Sequence, residues 1–90
     1  MQVSHRDERG AETVTVRYWA GARAAAGVDT ETVPGARTVG DLVGHLVASR
    51  PALGPVLPVC SVLVDGRASS GDDPVPAGAV VEVLPPFAGG

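Results

Sequence analysis

Lysine is absent from these 90 residues, and all seven cationic side chains are arginines. The chain therefore has no side-chain amine to accept an acyl group, so a lysine joined to its own C-terminus would belong to another protein. Aromatic residues make up 3% of the chain, the rings being Tyr18, Trp19 and Phe87. A core of valine, leucine and alanine leaves little room for the large apolar cleft that a small-molecule site needs. Cys60 is the one cysteine, which excludes an internal disulfide and a cysteine-ligated iron–sulfur cluster and suits a reducing cytoplasm. No apolar run approaches the ~20 residues that span a bilayer, and Met1–Glu12 lacks the apolar stretch of a secretory signal. A cytoplasmic protein is expected. The net charge of −3 and pI near 5.1 come without any basic stripe to neutralise phosphates, which argues against a nucleic-acid partner. His5, His45, Cys60 and the carboxylates show no ligand spacing, so no metal centre is expected. Ser49, Ser61, Ser69 and Ser70 lie in no nucleophile motif. The chain reads as a substrate of other enzymes and not as an enzyme.

What is present describes one domain, since a chain of this length buries about 60–65% of its unfolded surface around a single modest core. Residues 1–12 are polar and charged and predict a mobile extension. Thr13 to Trp19 alternates, with Val14, Val16 and Tyr18 on one face and Thr15, Arg17 and Trp19 on the other, which predicts a half-buried strand. Gly21 to Gly27 predicts a small-residue connection with room for one helical turn, and Val28 to Val33 a weak edge strand protected by charge. Val39, Leu42, Val43, Leu46 and Val47 then fall on one face at helical spacing. Thr38 is placed to cap that helix, Asp41 to favour its positive end, and Pro51 to stop it. Pro51 to Pro58 predicts a stiff connection. Val59 to Val64 predicts a strand with Cys60, Val62 and Val64 inward, and Asp65-Gly66 a primed hairpin turn into a short return strand at Arg67-Ala68. Ala79 to Leu84 is apolar on both faces and predicts a central strand covered at least partly on each side.

The chain ends in Pro85-Pro86-Phe87-Ala88-Gly89-Gly90. Two prolines remove backbone donors and favour extension, so the strand ladder should stop at Leu84 and the tail should project by roughly 20 Å. Gly89 and Gly90 carry no Cβ and can pass through a slot that excludes other residues. Phe87 reads either as a partner-facing anchor or as a ring folded back on the sheet. Trp19 reads as partner surface or as cover for the neighbouring edge. Arg23 reads as a surface ion pair, a carbonyl clamp or a partner contact, and Cys60 as a small buried hydrophobe.

Taken together, Tyr18-Trp19-Ala20-x-x-Arg23-x-x-x-Gly27, the Asp65-Gly66 turn and Pro76-x-Gly78-x-x-Val81 running into Pro85-Pro86-Phe87-Ala88-Gly89-Gly90 resemble the ubiquitin-like sulfur carriers of bacteria. The likeness is closest to the small subunit of molybdopterin synthase and spans residues 13–90. It implies an α+β fold of the β-grasp (ubiquitin-like) type, a mixed four- to five-stranded sheet packed on one main helix, occupying residues 13–84. In that fold the first and last strands pair in parallel at the centre.

The resemblance also implies a function. An ATP-dependent, E1-like activating enzyme would adenylate the Gly90 carboxylate, a sulfur donor would convert it to a thiocarboxylate, and the large molybdopterin synthase subunit or another sulfur-accepting enzyme would receive the sulfur. Pro85, Pro86, Phe87, Ala88, Gly89 and Trp19 would contact those partners. No cofactor would be bound by the chain itself. Carriers serving thiamine, cysteine or a specialised metabolite are alternatives, as are a ubiquitin-like protein modifier and an interaction module whose tail is never activated.

Overall fold

The structure, a computed structural model, describes residues 12–86. Residues 1–11 of the extension expected over residues 1–12, and the tail positions Phe87, Ala88, Gly89 and Gly90, lie outside the described residues.

Strand β1 (Thr13–Tyr18) leads through helix α1 (Ala20–Ala26) to β2 (Thr30–Pro34) and the main helix α2 (Val39–Ser49). Two 3-10 turns, Pro51–Leu53 and Leu57–Val59, then carry the chain to β3 (Ser61–Val64), β4 (Arg67–Ser69) and β5 (Val80–Leu84). The sheet order is β2-β1-β5-β3-β4. β1 and β5 run parallel, with Val16 beside Val81 and Tyr18 beside Val83, and every other pairing is antiparallel. This mixed five-stranded sheet with helices on it is the β-grasp arrangement expected from the sequence.

Both helices lie on one face of the sheet. The buried positions Val14, Val16, Tyr18, Val81 and Val83 point toward Leu42 and Leu46 of α2 and Ala22 and Ala26 of α1 within a single core cluster. Among the described residues no polar or charged side chain is fully buried apart from the Tyr18 hydroxyl. Thr38 caps α2 as expected, its Oγ1 accepting from the Asp41 amide at 3.1 Å. The Asp65-Gly66 turn has φ of 50° and 84°, the paired left-handed conformation of the primed hairpin. Asp65 also anchors the start of β5: its amide donates to the Val80 carbonyl and its Oδ1 accepts from the Val80 amide, both at 2.9 Å.

Four local expectations are corrected. The 21–27 connection is the seven-residue helix α1, closed by Gly27 at φ 83°, whose amide donates to the Arg23 carbonyl. Its buried stripe is only Ala22 and Ala26, and alanines alone draw no visible hydrophobic period. The second strand begins at Thr30, two residues later than predicted, and runs to Pro34. The proline-rich stretch after α2 is part of the core wall, because its 3-10 turns bury Leu53 and Leu57. That also delays the third strand to Ser61, with Val59 turned outward at 61% exposure. Finally, β5 is central by pairing but covered on one face only: Val81 and Val83 are buried, Val80 is 38% exposed, and Glu82 and Leu84 are half-buried.

Candidate functional site: the open sheet face and the root of the tail

The face of the sheet opposite the helices is built by alternation. Along β1 it carries Thr15 and Arg17, and the chain continues outward to Trp19. Along β5 it carries Val80, Glu82 and Leu84. The register aligns Thr32, Thr15 and Val80 in one row and Thr30, Arg17, Glu82, Leu63 and Ala68 in the next, while Leu84 stands beside Ser61. The outcome is an apolar strip of Val80, Leu63, Leu84 and Trp19 interrupted by one cation and one anion. Trp19 is 42% exposed, and the Arg17 guanidinium lies 5.2 Å from its ring centroid, within the range of cation–π attraction. Trp19 thus faces open solvent beside the central strands.

The tail leaves the fold at this strip. The Trp19 amide donates to the Val83 carbonyl at 3.1 Å, extending the parallel pairing one residue past β1. β5 then ends at Leu84, as the double proline predicts. Pro85 is half-buried and Pro86 exposed. Of the expected site residues, the structure brings together Trp19, Pro85 and Pro86. Phe87, Ala88, Gly89 and Gly90 lie outside the described residues.

Val80, Leu63 and Leu84 were missed by sequence reasoning. One signal could have found them: Glu82 sits between Val81 and Val83, and a carboxylate in the middle of a central strand marks the side that faces water.

A second missed feature supports the same corner. Glu31 of β2 accepts from the Tyr18 hydroxyl at 2.6 Å and is gripped by Arg50, whose Nε and a terminal nitrogen donate at 2.8 and 3.0 Å. The other terminal nitrogen of Arg50 donates to the Ala26 carbonyl at 2.7 Å, at the end of α1. The bonds from Arg50 hold the Glu31 carboxyl below its ordinary range. Burial, followed by the bond to Glu31, raises the Tyr18 phenol, keeping it a donor. The clamp ties β1, β2, α1 and the end of α2 together.

The remaining candidates take quieter roles. Arg23 forms an exposed ion pair with Asp29 at 3.6 Å. Cys60 is half-buried and donates its thiol to the Val56 carbonyl at 3.2 Å, and burial pushes the thiol up, away from reactive thiolate. Among the described residues no cluster of His, Cys, Asp and Glu could hold a metal, and no helix is long and apolar enough to cross a membrane. The arrangement is an apolar strip with two charges, at the point where β5 passes into Pro85 and Pro86.

Comparison with known proteins agrees with that arrangement. The profile of the ThiS family matches residues 16–90. The solved structure of SAMP1, small archaeal modifier protein 1, from Haloferax volcanii is 28% identical with a TM-score of 0.76 and covers 87% of this chain and 99% of its own. A Pyrococcus furiosus protein described as molybdopterin converting factor, subunit 1, is 29% identical with a TM-score of 0.74, covering 83% of this chain and 98% of its own. Subunit 1 in the Helicobacter pylori complex of molybdopterin-converting factor subunits 1 and 2 shares the fold at 22% identity and a TM-score of 0.64, over 87% of this chain and 99% of that chain. No curated protein matches in sequence.

Proposed function

The chain belongs to the ThiS family, and from that premise we propose that it carries sulfur on its C-terminal carboxylate for a biosynthetic enzyme, in molybdopterin formation by preference. A carboxylate is a poor electrophile until it gains a leaving group. In an E1-like activating enzyme, a Gly90 carboxylate oxygen attacks the α-phosphate of ATP and pyrophosphate departs. A donor of sulfide-level sulfur then attacks the acyl carbon, the acyl–phosphate bond breaks as AMP leaves with its electron pair, the sulfur loses its proton, and a thiocarboxylate results. Its sulfur is the softer and stronger nucleophile for delivery in a second enzyme's site.

The observation that supports this reading is the continuity of the open strip with the tail. Trp19, Val80 and Leu84 give a partner something to hold while Pro85 and Pro86 aim Phe87 and Ala88, and Gly89 and Gly90 enter its active site. The chain's role is that of a protein co-substrate in the cytoplasm. It holds no cofactor itself; ATP and the sulfur donor are handled by the activating enzyme, and a large synthase subunit is the preferred acceptor. The likeness to the P. furiosus protein favours that acceptor.

The likeness to SAMP1 favours a second reading, in which Gly90 is joined through an isopeptide to a lysine of another protein. Both readings share the adenylate and part at its fate. Incubation of the chain with the cognate activating enzyme, ATP and a sulfur donor, followed by intact-mass measurement, separates them. Replacement of one oxygen by sulfur is the expected result, conjugates to other proteins would favour the modifier, and no ATP-dependent change would overturn both. Removal of Gly90 abolishes the change in either case.

A further inference from the structure

A groove of about 550 Å³ opens on the helix side of the sheet, between α2 and the β3–β4 edge. Its floor is Val39, Val43, Leu57 and Val62, its mouth holds Cys60, and its far wall is the Ser69–Gly71 backbone. This groove shares no residue with the strip formed by Trp19, Val80, Leu63 and Leu84.

Three observations say what fits there. First, the wall is built in place. The Val39 amide donates to the Asp73 carbonyl at 3.0 Å and the Gly40 amide to the Gly71 carbonyl at 2.9 Å, while Asp73 Oδ2 accepts from the Ser70 amide at 2.8 Å. The loop is thereby bolted to the start of α2. Second, the charge at the α2 end of the groove is negative, while Arg67, next to the lining Ala68 on β4, borders the far side. Asp73 lines the groove, Asp72 adjoins it in the same loop, Asp41 follows Gly40 on α2, and no arginine or lysine is among the lining residues. The start of α2 does not offset this, because its first four amides are all spent: on Asp73, on Gly71, on the Thr38 hydroxyl and on the Thr38 carbonyl. The usual anion site of a helix N-terminus is therefore closed, and the groove favours a cation. Third, β4 is the last strand in the sheet order, so among the described residues its outer edge has no strand partner, and such an edge accepts an added strand.

We propose that this groove docks an extended segment of a partner protein in which an aliphatic side chain lies between arginines or lysines. The aliphatic group fills the floor between α2 and β3, the cationic heads reach Asp41, Asp72 and Asp73, and the segment's backbone runs along β4. Because the groove uses neither Trp19 nor Gly90, it can be occupied while the tail sits in an enzyme, and the proposal stands whether or not the tail is activated.

The test is an amide-shift titration of the full chain with three short acetylated probe peptides: alternating arginine and valine, alternating glutamate and valine, and alternating arginine and serine. The arginine–valine peptide is expected to give saturable shifts at Gly40, Val43, Val62 and Gly71, to slow alkylation of Cys60, and to weaken as salt rises. The other two peptides should do neither. Asp41→Asn combined with Asp72→Asn should weaken binding roughly three- to ten-fold by removing two exposed charge contacts, with the fold intact because Asp41 serves the cap through its backbone alone. Trp19→Ala should leave binding unchanged. Equal binding of the glutamate–valine peptide, shifts centred on Trp19 and Leu84, or no saturable shift would overturn the proposal. Cys60 protection that rises with protein concentration and no peptide would assign the groove to a second copy and overturn it equally.

Discussion

Replacing Tyr18 by phenylalanine removes one oxygen from the most connected polar point of the fold and leaves the ring in place. Tyr18 is 3% exposed, and its hydroxyl donates to Glu31 Oε2 at 2.6 Å. A hydrogen bond to a charged acceptor contributes about 1.5–3 kcal/mol, and orphaning a buried acceptor costs more. Here Glu31 keeps both bonds from Arg50, so nothing is orphaned and the loss should sit near the lower end, about 1.5 kcal/mol at neutral pH. Urea unfolding should show the midpoint falling with an unchanged slope. The effect should also depend on pH in a fixed direction. Glu31 is held below its ordinary value of 4.5, first by the Arg50 bond and also by the Tyr18 bond. A depressed carboxyl contributes stability that is present above 4.5 and lost as pH falls through its lower folded value. Tyr18→Phe removes part of that depression, so the gap between the variant and the parent should narrow as pH drops through this window. A variant as stable as the parent at neutral pH, or a gap that stays constant into strong acid, would refute the account of the clamp.

Leu53→Ala should cost about 2–5 kcal/mol, as for other fully buried leucines, because Leu53 is 0% exposed in its 3-10 turn; a thermal melt within a degree or so of the parent would return the proline-rich stretch to the status of a surface connection. Gly35→Ala should destabilise by about 1–3 kcal/mol through overpacking, since its new Cβ would run into the Glu12 carbonyl oxygen, and calorimetry checks this. Paired Trp19→Ala and Val80→Glu substitutions, at positions 42% and 38% exposed, should cost about 1–3 kcal/mol together and leave the chain folded, while raising the KM of tail activation more than they lower kcat. An unchanged KM would remove the open strip from the recognition surface.

The sequence alone determined the skeleton. Periodicity placed α2 and β1, the Asp65-Gly66 pair specified its turn, and the double proline marked the end of β5, because each of these signals acts within a few residues along the chain. The absence of lysine and of a second cysteine is read from composition alone, which needs no geometry. Tertiary structure decided how β5 is covered: Ala79 to Leu84 is apolar but for Glu82, which hints at the open side, and only the packed helices show that the other face alone is closed. It alone joined Tyr18, Glu31 and Arg50, whose separations of 13 and 19 residues obey no local period. It alone made a helix of six small residues and Arg23, by packing Ala22 and Ala26 against the sheet where their own hydrophobicity is too slight to announce it. The distinction is physical: short-range sterics and capping are encoded where they act, whereas burial of a face and the meeting of distant polar groups come into being only when the layers close.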